Sequence, residues 1–197
     1  MVRRILTAGA AGAVVLAATT PAFAHTYGGA LGGGFAQGFL HPLGGLDHLL
    51  AMVAVGIWAA QLGGRALGFV PAAFVAAMVG GGIAGMAGFP LPMVEFGIAA
   101  SVVLMGGLIA LGSRLSLPLG MALVALFAVF HGHAHGLEAP AAANPLLYGF
   151  GFALATALLH GLGIGLALAA GRLAAAPALR LAGGAIAASG LALAAGV

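Results

Sequence analysis

Between residues 38 and 196 the chain runs through six apolar stretches of about twenty residues each, the length that carries a helix across the hydrocarbon of a bilayer. The breaks between them, at 61–65, 88–92, 112–116, 138–145 and 171–177, are too short to divide the chain into domains. A soluble domain would need polar residues to cover a water-facing surface, whereas 63% of these residues are apolar and 5% are charged. Lipid is therefore the expected solvent. In lipid only helices and closed barrels satisfy their own backbone groups, and continuous apolar runs do not fit the short alternating strands of a barrel. The expectation is an all-α membrane protein: one domain over 25–197, a bundle of six transmembrane helices near 38–60, 66–87, 93–112, 116–137, 146–170 and 177–196. Abundant alanine and 36 glycines suit helices that pack backbone to backbone, and Gly81 with Gly85 and Gly161 with Gly165 have the small-xxx-small spacing.

Residues 1–24 read as a signal peptide. Arg3 and Arg4 precede an apolar run over 8–18, then Pro21 and the A-x-A site Ala22-Phe23-Ala24. The run is short for a span, so cleavage is expected, with the mature chain starting at His25 outside the cytoplasm. Alternation then puts the loops with Arg65, Arg114 and Arg172 on the cytoplasmic face, and Arg180 near the cytoplasmic end of the last helix. All four obey the positive-inside rule, which places the protein in the bacterial cytoplasmic membrane with both mature ends on the periplasmic side. The basic charge is six arginines and no lysine, with no cluster to grip phosphates, so nucleic acid is excluded as a partner. No Gly-x-x-x-x-Gly-Lys-Ser/Thr loop is present, so the chain does not drive transport by its own nucleotide hydrolysis. Absence of cysteine excludes disulfides, thiolate metal sites and iron–sulfur chemistry.

Every acid, Asp47, Glu95 and Glu138, falls in or beside a membrane segment, as do most histidines. Ionisable groups there cost several kcal/mol unless paired or functional. In His41-Pro42-Leu43-Gly44-Gly45-Leu46-Asp47-His48, a continuous helix would set His41 over His48, with Asp47 able to hold the imidazole; Pro42 and the glycines would otherwise unwind this turn. In Phe130-His131-Gly132-His133-Ala134-His135-Gly136-Leu137-Glu138, His131, His135 and Glu138 share a face and His133 points away. His160 lies halfway along the fifth span. Counting about 1.5 Å per residue from the cytoplasmic ends puts His48 about 20 Å across, His131 about 22 Å, His160 about 17 Å and Glu95 about 27 Å. Ligand-type side chains thus share a layer in the outer half of the bilayer. Imidazole with carboxylate and no thiolate suits nickel, zinc, cobalt or copper and suits magnesium or calcium poorly. His41, Asp47, His48, His131, His135, Glu138 and His160 are the expected metal ligands, with His25, Glu95 and His133 as accessory candidates. Each group also has a plainer reading: histidines at a water interface, a casual surface tract, or a structural imidazole bonded to a carbonyl. Trp58 and Tyr148 read as interfacial anchors, and Met52, Met78, Met86, Met93, Met105 and Met121 as packing.

The pair His41-Pro42-x-x-Gly45-x-Asp47-His48 and Phe130-His131-Gly132-x-Ala134-His135-Gly136-x-Glu138 resembles the HupE/UreJ family, and the resemblance extends over the mature chain. It implies a secondary permease for Ni2+, in some members cobalt, that supplies hydrogenase or urease maturation indirectly. On the donor set alone, Zn2+ and Cu2+ are served equally well. No cofactor is expected beyond the transported ion, and the expected partners are that ion and the lipid bilayer, with monomer and homo-oligomer both open. Two other classes compete: an integral-membrane metalloenzyme with a His-rich zinc or iron site and Glu95 or Glu138 as base, and a His-relay channel for protons or small solutes. The near absence of loops able to form a substrate pocket counts against the enzyme.

Overall fold

The computed structural model describes residues 34–140, 143–173 and 175–196, so the expected signal peptide and His25 lie outside the described residues. Those residues form α1 Gly34–Gly44, α2 Leu46–Leu62, α3 Ala66–Met86, α4 Val94–Leu111, α5 Leu117–Glu138, α6 Pro145–Arg172 and α7 Ala176–Ala195. The fold is all-helical. Helices α3 to α7 are each long and apolar enough to cross a membrane, giving five candidate spans, or six if α1 and α2 form one broken span.

The stretch near 38–60, expected as one helix unless Pro42 and the glycines unwound it, is broken into two helices meeting at 84°. Pro42, inside α1, removes a backbone donor, and Gly44 and Gly45 lower the cost of leaving the helical region. The break falls at Gly45, whose backbone is extended (φ −106°, ψ 122°). Other ends follow ordinary capping. Asn144 Oδ1 accepts from the Leu146 and Leu147 amides at 3.0 and 3.1 Å to start α6, with Pro145 in the first turn. Gly112 closes α4 in the left-handed region (φ 62°).

Packing is set by glycines. Helices α3 and α5 make the most extensive contact in the bundle. There a Cβ on Gly81 would overlap the Val129 carbonyl, one on Gly132 the Met78 carbonyl, and one on Gly136 the Gly82 carbonyl. Helix α6 meets α1 through Gly38 and Gly151, and α2 through Gly56 and Gly163, in the same manner, while α4 meets α7 through Gly106 and Gly183. In lipid, where apolar burial drives association weakly, such close approach supplies the attraction through dispersion. Helix α2 occupies the middle: Met52, Val55, Trp58 and Ala59 are at most 1% exposed. Ile83, Phe96, Leu111, Leu126 and Leu146 point outward and are exposed, as a lipid-facing surface requires.

Two sequence readings change here. Trp58 and Tyr148 are buried in the bundle and are not interfacial anchors; the Trp58 Nε1–H donates to the Ser113 carbonyl at 3.1 Å. Gly161 and Gly165 have open space where a Cβ would stand, so close packing of α6 runs through Gly163 instead. The methionines divide, with Met52, Met78 and Met105 in the core and Met86 and Met93 exposed.

Replacing Gly132 by Leu should destabilise the bundle by about 1–3 kcal/mol or more through overpacking, whereas Gly161→Leu should not. Thermal unfolding in detergent, followed by fluorescence-detected gel filtration, separates the two; equal melting temperatures would refute the packing assignment.

Candidate functional site

Because Gly132 and Gly136 turn one face of α5 against α3, His131 and His135, one position earlier on successive turns, occupy the adjoining face inside the bundle. Both are buried. The bend at Gly45 delivers histidines to them from two helices. The His41 ring, from α1, lies 4.6 Å from that of His135; the His48 ring, from the first turn of α2, lies 4.2 Å from His135 and 4.8 Å from His131. Phe152 of α6 closes the other contact of His135 at 4.0 Å.

Carboxylates hold this ring cluster. Glu138 Oε2 accepts from His41 Nε2 at 2.9 Å and lies 3.9 Å from His135 Nδ1. Asp47 Oδ1 accepts from His48 Nδ1 at 2.7 Å and from the His48 amide at 2.8 Å. Gly45 makes that turn possible, since a Cβ there would stand 2.7 Å from Asp47 Oδ1 and 3.1 Å from His48 Nδ1. Asp47, an expected metal ligand, is thus engaged with an imidazole.

Exposure falls steadily along the cluster. The side chain of Glu138 is 55% exposed, His41 26%, His48 10% and His135 4%, and His131 is fully buried, so the cluster opens at one end of the bundle and narrows inward. His48 Nε2, His131 Nδ1 and both ring nitrogens of His135 have no hydrogen-bond partner. A buried polar atom without a partner costs about 1–3 kcal/mol, and so many in one place mark a group of donors kept for something else. His41, His135 and Glu138 offer ligand atoms within 4.8 Å of one another, a spacing one ion can bridge.

Three expected residues stand apart. His160, buried with both ring nitrogens unpartnered, packs edge-on against Phe74 at 5.1 Å, and the same Phe74 ring lies 5.8 Å from His131. His133 leaves the cluster and donates from Nε2 to the Phe89 carbonyl at 2.7 Å, tying α5 to the turn after α3. Glu95 is exposed and touches no histidine of the cluster, but it shares with Asp47 and Leu193 a cavity of about 210 Å³. A larger cavity, about 420 Å³, opens beside Gly136, Pro140 and Tyr148. Residue spacing singled out neither Phe74 nor Ser101, whose hydroxyl lies 2.8 Å from His131 Nε2. A lone serine inside an apolar helix was the only signal for Ser101, and Phe74 had none.

The fold and the cluster define a polytopic helical membrane protein with a histidine–carboxylate site sunk into one end of its bundle. Residues 13–193 match the family described as HupE / UreJ protein, and the chain belongs to the HupE/UreJ family. It is 47% identical over 173 residues to Protein HupE of Rhizobium leguminosarum bv. viciae, an overlap that covers 88% of this chain and 91% of that protein. No solved structure matches. The family is one of membrane transporters and not of enzymes, which removes the metalloenzyme reading.

Gly45→Ala should push the Asp47 carboxylate off His48 and leave the helices intact. Nitrogen NMR of the His48 ring should lose the signature of a carboxylate-bound Nδ1–H at unchanged circular dichroism; an unaltered His48 spectrum would refute the role given to Gly45.

Proposed function

We propose that this protein carries a divalent transition metal ion, Ni2+ above all, into the cytoplasm across the bacterial inner membrane. The observation that carries the reading is the set of buried, unpartnered imidazole nitrogens of His48, His131 and His135, packed beside two carboxylates in a chain without a thiol. Neutral nitrogen donors with a carboxylate suit nickel and its neighbours, and Co2+, Zn2+ and Cu2+ are the competitors to test.

The four mature arginines sit in or beside the α2–α3, α4–α5 and α6–α7 connections, with the Arg180 guanidinium 3.4 Å from the position a Cβ on Gly112 would take. The histidine cluster belongs to the opposite end. The positive-inside rule then assigns the arginine end to the cytoplasm and the cluster to the periplasmic side, with residues 1–24 removed as a signal peptide and His25 as the new N-terminus.

In this mechanism the hydrated ion meets Glu138 and His41 at the open rim. It exchanges waters for His135, with His48 and His131 behind, and Asp47 holding His48 in place. His160 is the next station inward, and Phe74, which touches both His131 and His160, must turn aside for the ion to pass. A membrane potential favours inward movement of a divalent cation by about 4.6 kcal/mol per 100 mV, so no nucleotide is required. The ligands are neutral and few, which lets the ion leave. Delivery to hydrogenase or urease maturation follows as the use of the imported nickel.

Uptake of labelled Ni2+ into proteoliposomes tests this directly. Replacing His48, His131 or His135 by Ala should lower uptake at least about tenfold while the protein stays in the membrane; full uptake by all three variants would sink the site. Protons compete with metal for imidazole, so uptake should fall as the pH is lowered and recover when it is raised again; uptake that does not change with pH down to the point of unfolding would exclude imidazole ligands.

A further inference from the structure

Ser101 lies in the middle of α4 and is 1% exposed. Its Oγ is 2.6 Å from the carbonyl of Ile98, one turn back, and 2.8 Å from His131 Nε2. A carbonyl can only accept, and a hydroxyl has one proton, so that proton goes to Ile98. Ser101 Oγ must then accept from His131, which requires the hydrogen on Nε2. The neutral ring has one N–H, so His131 Nδ1 is left as a bare lone pair, and it is one of the buried atoms without a partner.

Asp47 acts on His48 by the same logic at the other ring nitrogen. An ionised carboxylate only accepts, so His48 carries its hydrogen on Nδ1 and leaves Nε2 as the free lone pair, again without a partner. The two rings lie 4.8 Å apart and nearly perpendicular, His48 held by its neighbour Asp47 in α2 and His131 by Ser101 of α4. His135, by contrast, has no acceptor within hydrogen-bond reach at either ring nitrogen.

We infer that Ser101 is a positioning residue for the transport site: relayed through the Ile98 carbonyl, its hydroxyl sets the tautomer and ring orientation of His131 so that Nδ1 faces the cargo as an electron-pair donor. This rests on the proposal that His131 is a metal ligand. The serine is needed for its acceptor, not its bulk. Metal-binding histidines commonly have the second nitrogen held in this way, and loss of the holding group costs about 10- to 100-fold in metal affinity.

The test compares Ser101→Ala, Ser101→Thr and His131→Ala in proteoliposomes, with uptake measured against Ni2+ concentration, and the His131 tautomer read by nitrogen NMR of the labelled protein without metal. Ser101→Ala should raise KM for Ni2+ about 10- to 100-fold with a smaller change in maximal rate, and should give His131 a mixture of tautomers in place of Nε2–H alone. Ser101→Thr keeps the hydroxyl and should restore KM to within about threefold of the parent. Loss in Ser101→Ala without rescue by Ser101→Thr would overturn the inference, because the hydroxyl would not be the cause. An unchanged KM in Ser101→Ala, with uptake abolished in His131→Ala, would overturn it and leave the metal reading standing. Undiminished uptake in His131→Ala would remove His131 as a ligand and overturn the inference with it, leaving the rest of the site to the His48 and His135 variants.

Discussion

The whole histidine–carboxylate cluster depends on the backbone contact between α3 and α5. Two helices that meet through glycine can approach until carbonyls and α-carbons touch, as Gly132 and Gly136 do against Met78 and Gly82. That contact fixes the rotation of α5 about its axis. Once it is fixed, the position before each glycine has a single place to go, and those positions are His131 and His135. A side chain on either glycine would separate the helices and rotate the histidines with them. Glycine therefore sets the geometry of a site whose chemistry belongs to its neighbours.

The broken helix supplies what a straight one could not. On a continuous helix His41 and His48 would stack along one line and reach one neighbour each. The 84° bend lets them approach His135 from separate directions, His41 with Glu138 at the rim and His48 with Asp47 further in. Irregular backbone is tolerated at membrane depth only where protein or a cavity surrounds it. Gly45 meets that condition, with Asp47 and His48 folded back over it.

Burial in an apolar bundle explains the pairing seen at His48, His131 and His133. A nitrogen that donates to a carboxylate, a hydroxyl or a carbonyl is satisfied, and its ring is held. The opposite nitrogen is then free to receive a cation. His48 and His131 follow this scheme through Asp47 and Ser101, and His133 uses the same kind of bond for a structural end, joining α5 to Phe89. His135, like His160, has no acceptor of its own; it lies among three aromatic partners and touches more of the cluster than any other ring. The side chains at the rim, Glu138 above all, are the more exposed, whereas those deepest in the bundle are imidazole rings.

Much of this was legible in the sequence because it depends on residue type and local spacing. Apolar runs of spanning length dictate a helical membrane protein, and a few acids and histidines in so apolar a chain mark where the chemistry lies. Spacing alone also places His131, His135 and Glu138 on one face of a helix and turns His133 away. What sequence could not supply is which faces meet, because helices that are apolar all round carry no stripe to point them inward. The readings that changed are of that kind. Trp58 and Tyr148 are core residues although they sit near helix ends, Gly163 replaces Gly161 and Gly165 at a contact, and Phe74 stands between His131 and His160 although depth alone made them neighbours. The angle at Gly45 and the hydroxyl of Ser101 beside His131 likewise exist only in three dimensions. Residue identity determined which atoms could bind an ion; close packing of glycine backbones, which no periodicity records, decided which of those atoms share a site.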